Sequence, residues 1–237
     1  MTPAEIAAVA AEFEGATPEA VLRWAAERFR NRIGFATAFG PEGCVLLDVI
    51  GREKLAIDMF TLDTGLLFPE TVQLWRQIEE RYGIRVRGVR PSLTLSEQEV
   101  QHGPALWQHA PDLCCEVRKV QPLRTELLLF DAWITAIRRE QTPERAAAAV
   151  VERDARFGLV KVNPLAGWSS AEVWSRIHER AIPSNALHAR GYPSIGCVPC
   201  TTPVREGEDP RAGRWRTFAK TECGLHRRLN AKSPKES

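Results

Sequence analysis

The chain lacks a strong charge bias, a long apolar run and any internal repeat. Its 32 Lys+Arg nearly balance 30 Asp+Glu, a formal net charge of +2, so no general affinity for nucleic acid is expected. No apolar stretch approaches the ~18 residues of a membrane span, and no membrane partner is expected. The first residues, Met1-Thr2-Pro3-Ala4-Glu5, have neither the basic nor the apolar region of a signal peptide. The expectation is a soluble, cytoplasmic protein. Apart from the alanines at 146–149 there is no low-complexity tract. What remains is ordinary globular usage over 237 residues, 44% hydrophobic and 26% charged. That is enough for a sizeable core, in one domain or a domain with an appendage.

The small totals hide uneven distributions. Residues 201–237 hold nine Lys/Arg against five Asp/Glu, whereas residues 1–200 hold 23 against 25. Of six cysteines, five fall in three groups: Cys114-Cys115, Cys197-x-x-Cys200 and Cys223. Cys44 stands alone and reads as a small buried apolar side chain. In a reducing cytosol, grouped cysteines point to metal or thiol chemistry rather than structural disulfides.

Strand and helix patterns alternate along the chain. Thr17-Pro18-Glu19 has the cap, proline and early acid of a helix start, predicting a helix to about Phe29. Strands are predicted over 33–39, 55–62, 84–89, 132–137 and 159–162. Helical stretches are predicted over 44–50, 69–82 and 122–130, and Ser169-Ser170-Ala171-Glu172 resembles a capping box before another. Alternation of this sort implies βαβ units and a parallel sheet. Ligands bind such sheets beyond the carboxyl ends of the strands. That singles out two loops, Gly40-Pro41-Glu42-Gly43 and Asp63-Thr64-Gly65, although each is equally readable as a plain turn.

Cys114, Cys115, Cys197 and Cys200 form a candidate metal site. The spacing of Cys197-Val198-Pro199-Cys200 lets two sulfurs converge on one centre, and suits zinc or iron–sulfur equally. Adjacent side chains diverge, so Cys114 and Cys115 reach different irons of a cluster more naturally than one zinc ion. Zinc stays open, because sulfur-rich sites admit both metals. So does a buried thiol pair beside an unrelated redox CxxC. Arg118 and Lys119 follow closely; if this stretch is helical, Lys119 shares a face with Cys115 and could offset thiolate charge or hold an anion. An isolated Arg-Lys pair is otherwise a solvated helix face.

Several strings occur in a specific order. They are Cys-Cys-x-x-Arg-Lys at 114–119, Arg138-Arg139-Glu140-Gln141, Lys161-Val162-Asn163-Pro164-Leu165, and His188-Ala189-Arg190-Gly191-Tyr192-Pro193-Ser194-Ile195-Gly196-Cys197. Gly207-Glu208-Asp209-Pro210-Arg211-Ala212-Gly213-Arg214-Trp215 and Glu222-Cys223-Gly224-Leu225-His226 follow. From about residue 36 to 226 the chain resembles the assimilatory adenylyl-sulfate reductases, the iron–sulfur branch of the phosphoadenylyl-sulfate reductase family. The resemblance implies an α/β fold: a Rossmann-like, adenine nucleotide alpha hydrolase-like parallel sheet flanked by helices. It divides the chain into a nucleotide-binding domain at 1–190, carrying the first cysteine pair, and a mobile C-terminal segment at 191–237. It also implies a [4Fe–4S] cluster, one per subunit, on Cys114, Cys115, Cys197 and Cys200. The expected assembly is a homo-oligomer.

The implied reaction reduces adenosine 5′-phosphosulfate to sulfite and AMP in sulfate assimilation. Cys223 is the implied nucleophile, forming an S-sulfocysteine that thioredoxin then resolves. Arg211 and Arg214 match the arginines of the Gly-Glu-Asp loop, and with Lys119 and Arg145 they would bind the phosphosulfate. Leu62, Asp63, Thr64 and Gly65 match the loop that meets adenosine. Residues 37–42, including Thr37 and Gly40, match a modified phosphate loop that lacks the Ser-Gly-Gly of ATP pyrophosphatases. Within the family, 3′-phosphoadenylyl-sulfate or both nucleotides are alternative substrates. From another class, the alternative is a zinc-containing nucleotide-binding or RNA-modifying module.

Overall fold

The computed structural model describes residues 1–218, 220 and 222–225. His226 and the polar end beyond it lie outside the described residues. The chain opens with helices α1 (Pro3–Glu12) and α2 (Pro18–Phe29). Thr17 caps α2 by accepting from the Ala20 N–H, as its sequence predicts. Then β1 (Ile33–Thr37), α3 (Pro41–Glu53), β2 (Asp58–Leu62), α4 (Pro69–Tyr82) and β3 (Val86–Val89) alternate. Helices α5 (Leu95–His102), α6 (Leu106–His109) and α7 (Pro111–Cys115) follow. A π-helical turn, Glu116–Val120, joins α7 to α8 (Gln121–Leu127). The domain closes with β4 (Ala132–Ile134), β5 (Val151–Asp154), β6 (Leu159–Val162) and α9 (Ser170–Glu179).

The six strands form one sheet in the order β3-β2-β1-β4-β6-β5. Four of the five pairings are parallel; only β5 runs antiparallel, against β6. The sheet is therefore the parallel one expected from the sequence, with an unforeseen hairpin strand at its edge. Both faces are covered: Ile33, Phe35, Ala132, Ile134 and Val162 pack in one buried cluster, and Phe60 and Trp133 in another on the opposite face. Helix α3 is buried almost along its whole length, from Gly43 to Gly51. Among the described residues, no helix is long and apolar enough to cross a membrane.

Predicted strands 33–39 and 132–137 end early, at Thr37 and Ile134. In the first, Phe39 has φ +55°, a left-handed conformation that an extended strand cannot hold. Both chains then turn across the carboxyl edge of the sheet.

One polar group ties the helices together. Asp48, fully buried on α3, accepts from Arg52 at 2.6 Å, the Tyr82 hydroxyl at 2.9 Å and Arg180 at 3.2 Å. It thereby joins α3 to the ends of α4 and α9. The two arginines reach solvent and can rehydrate, so the loss on deleting the carboxylate is that of hydrogen bonds to a charged group. Asp48→Ala is expected to lower stability by about 1–3 kcal/mol, read from the urea midpoint at unchanged slope.

Candidate active site

A cleft of about 640 Å³ opens over the carboxyl ends of β1, β2 and β4. This is where a parallel α/β sheet places its ligands. One wall is the turn from β1 into α3. Thr37 accepts from the Phe39 N–H at 3.1 Å, and Gly43 packs so close that a Cβ there would stand 2.7 Å from the Thr37 hydroxyl oxygen. Gly40 caps α3, whose amino end faces the cleft and favours a negative group. Glu42 is held by Arg138 at 2.8 Å and Gln141 at 3.0 Å.

The second wall is the turn after β2. Leu62 and Thr64 line the cleft. Asp63 and Gly65 do not: Asp63 accepts from the Gly65 N–H at 3.2 Å and pairs with Arg90 at 2.9 Å, so these two shape the turn. Thr64 faces inward, its hydroxyl 3.3 Å from the Cys197 sulfur. An antiparallel bridge between Leu67 and Cys197 draws the Cys-x-x-Cys loop to this turn.

The floor is the helix around the cysteine pair. The extra residue in its π-helical turn redirects the side chains that follow. Arg118 is buried; it donates to the Thr64 carbonyl at 2.6 Å and to Gln98 at 3.1 Å, fixing the β2 turn from below. Lys119 enters the cleft instead. The Arg-Lys pair is thus not a solvated face.

Cys114, Cys115 and Cys197 are buried, Cys200 and Cys223 half-buried, and all are free thiols. Cys114, Cys115 and Cys200 each feel the charge of other sulfurs in the group. Burial, with Cys115, Cys197 and Cys200 nearby, pushes the Cys114 thiol up to about 12. Burial raises Cys115 and Cys200 as well. Cys197 goes the other way: burial opposes its thiolate, but Lys119, the Thr64 hydroxyl and Arg214 outweigh it. Lys119 mirrors this. Burial disfavours its ammonium, but the sulfurs of Cys197, Cys223 and Cys115 more than compensate, so it stays charged.

The donor set fits an iron–sulfur cluster better than one ion. A zinc ion needs its sulfurs converging at ~2.3 Å. Among the described residues no three Cys, His, Asp or Glu converge in that way. A cluster takes one thiolate per iron and asks for a wider spread. Four grouped thiols beside the Lys119 ammonium would offer such a cluster its ligands and their counter-charge.

The C-terminal segment completes the cleft. Arg211, Arg214, Glu222 and Cys223 line it together with Lys119 and Arg145. Every cationic residue expected from the sequence is therefore brought to one place. Cys114, Cys115 and Cys200 lie behind the lining, which only Cys197 and Cys223 reach among the sulfurs. The guanidinium of Arg214 stacks 4.4 Å from the Trp215 ring centre and donates to Ser194 and the Ile195 carbonyl at 3.3 Å. The Nε atoms of Arg145 and Arg214 are buried without a hydrogen-bond partner, donors still available to an anion. The described tail is docked: Lys220 bonds Asp112 at 2.6 Å, Arg156 caps the Gly224 carbonyl, and Leu225 packs against the Phe60–Trp133 cluster.

Among the lining residues not singled out from the sequence, two carry polar groups that bear on the site. His188 Nδ1–H donates to the Tyr192 carbonyl at 2.8 Å, and its Nε2 is buried without a hydrogen-bond partner among the described residues. Burial lowers its pKa, so the ring is neutral at pH 7; Nδ1–H then donates to Tyr192 and Nε2 is an acceptor. Glu222 is the other; its signal was adjacency to Cys223. Cys44 has no part in the cleft: it is fully buried near the Phe39 carbonyl, and burial pushes its thiol up to about 12.

Fold and cleft together define a Rossmann-like, adenine nucleotide alpha hydrolase-like protein with a cationic, thiol-rich anion site. Comparison with known proteins narrows the class. The profile of the phosphoadenosine phosphosulfate reductase domain matches residues 32–203. An adenosine 5′-phosphosulfate reductase of Halalkalibacterium halodurans is 44% identical over 207 residues, 87% of this chain and 90% of its own. A phosphoadenosine 5′-phosphosulfate reductase of Gloeobacter violaceus is 45% identical, covering 92% of each chain. The crystal structure of a phosphoadenylyl-sulfate reductase from Candida auris, a phosphate complex, superposes with TM-score 0.76 at 33% identity, over 85% of this chain and 98% of that one. The chain belongs to the phosphoadenosine phosphosulfate reductase family, oxidoreductases acting on a sulfur group.

A small residue sets Arg214. A Cβ on Gly196 would stand 2.2 Å from an Arg214 guanidinium nitrogen. The guanidinium is flexible, so Gly196→Ala should keep the fold and displace Arg214 from the cleft. Binding of AMP, measured by equilibrium dialysis, is expected to weaken about 10-fold, the worth of one charge-assisted hydrogen bond.

Proposed function

We propose that the protein reduces adenosine 5′-phosphosulfate to sulfite and AMP, with thioredoxin as the electron donor, in assimilatory sulfate reduction. The observation that carries this reading is the meeting of Cys223 with Lys119, Arg145, Arg211 and Arg214 in one cleft at the strand ends. The amino end of α3 and the Leu62–Thr64 turn would receive the nucleotide, and the cations would hold its phosphosulfate. Lys119, kept charged by its sulfur neighbours, would face both the sulfonate and the thiolate of Cys223.

The Cys223 thiolate would attack the sulfonate sulfur. An S–S bond forms, the sulfur–oxygen bond of the anhydride breaks, and its electron pair leaves on the phosphate of AMP. Arg145, Arg211 and Arg214 offset the charge that gathers there. A thioredoxin thiolate would next attack the Cys223 sulfur, expelling sulfite and leaving a mixed disulfide. The second thioredoxin thiol resolves it, so the dithiol supplies both electrons. Free thiols and a dithiol donor suit a reducing, cytoplasmic compartment.

Cys114, Cys115, Cys197 and Cys200 would hold one [4Fe–4S] cluster per subunit. Bound there, it would tie α7 to the 197–200 turn and set the field felt by Lys119. Thiols, not the cluster, would carry the electrons.

Relatives named for either nucleotide are equally similar, so names do not choose the substrate. The four-thiol set favours the form without the 3′-phosphate. The expected kcat/KM is higher for adenosine 5′-phosphosulfate; a preference for the 3′-phosphorylated form would reverse this assignment. The mechanism is tested by mass spectrometry after adding adenosine 5′-phosphosulfate without thioredoxin. A sulfonate adduct is expected on Cys223 and is absent in Cys223→Ser; an adduct elsewhere, or none, rejects it. The purified protein should be brown and contain iron and sulfide, whereas a colourless protein with stoichiometric zinc would favour a non-redox nucleotide-binding module.

A further inference from the structure

Glu222 precedes the proposed nucleophile by one residue and is only 1% exposed. A carboxylate this deep needs cations and hydrogen bonds in place of its lost hydration. It has them. Its oxygens lie 2.8 and 2.9 Å from Arg145 Nη2 and 3.5 Å from Arg211 Nη2, and the Thr142 hydroxyl donates to it at 3.3 Å. Arg145 also donates to Gln141 at 2.5 Å, and Gln141 in turn donates to Glu42 at 3.0 Å. A continuous polar chain therefore runs from the tail to the first turn of α3.

Other polar contacts hold the tail too, among them Lys220 to Asp112 and Arg156 to the Gly224 carbonyl. Both use groups outside the cleft lining. Among the described residues of the tail, only Glu222 seats it on arginines that also line the cleft. We propose that Glu222 is a positioning residue: its carboxylate docks on Arg145 and Arg211 and so places Cys223 in the cleft. This inference rests on the reading of Cys223 as the nucleophile. The tail can bury Glu222 only where both arginines are already poised, so docking of the nucleophile and readiness of the anion site are one event. Glutamine keeps the shape and loses the charge; aspartate keeps the charge on a shorter arm.

The test compares the full-length holoprotein with Glu222→Gln and Glu222→Asp in three measurements. They are alkylation of Cys223 by iodoacetamide without nucleotide, single-turnover sulfonation of Cys223 by adenosine 5′-phosphosulfate without reductant, and AMP affinity. For Glu222→Gln, alkylation should speed up and sulfonation slow by about 10-fold or more, the worth of a charge-assisted hydrogen bond. AMP affinity should stay within about 3-fold, because no donor to the nucleotide is lost. Glu222→Asp should recover part of the sulfonation rate. Unchanged alkylation and sulfonation overturn the proposal, as does AMP affinity falling in step with sulfonation, which would make Glu222 only a support for the arginines. If the unaltered protein itself gains no sulfonate, the reaction reading fails; alkylation then judges the docking alone, and equal rates overturn it.

Discussion

Lys119 is the charge on which the cleft depends. Its ammonium would be unstable so deep without the sulfurs of Cys197, Cys223 and Cys115, and Cys197 and Cys115 would be harder to ionise without it. Neither side can be built alone. The π-helical turn is what makes the meeting possible, since it sends Arg118 under the β2 turn and Lys119 into the open cleft. One extra residue in a helix thus fixes a loop and aims a cation together. The Cys-x-x-Cys loop is then drawn in by its bridge to Leu67 and by Thr64.

Much of this was legible because the signals were local. Caps at Thr17 and Ser169 form as the sequence predicts, and the alternation of apolar strands with helices yields the parallel sheet. The candidate cysteines and cations also meet as expected. What was missed was non-local or weakly patterned. β5 is a short edge strand, Val-Glu-Arg-Asp, of which only Val151 is buried; its pairing with β6, not its composition, makes it a strand. The π turn leaves no composition signature. Asp63 and Gly65 belong to the right turn, but a motif cannot say which of its residues face the ligand and which close the loop. His188 and Glu222 acquire meaning only from partners far away in sequence.

The basic excess of the C-terminal segment needs a different reading from the one its charge count suggests. Within the described part, Arg216 is paired to Glu208 and Lys220 to Asp112. These charges are spent on holding the segment in shape. The remaining excess falls on Arg227, Arg228, Lys232 and Lys235, outside the described residues. The cations around Cys223 come from both parts of the chain: Lys119 and Arg145 precede the basic segment, and Arg211 and Arg214 belong to it. A thiol and a carboxylate on the tail enter a pocket whose cations are supplied half by Lys119 and Arg145 and half by Arg211 and Arg214, so neither part of the chain builds the cleft alone.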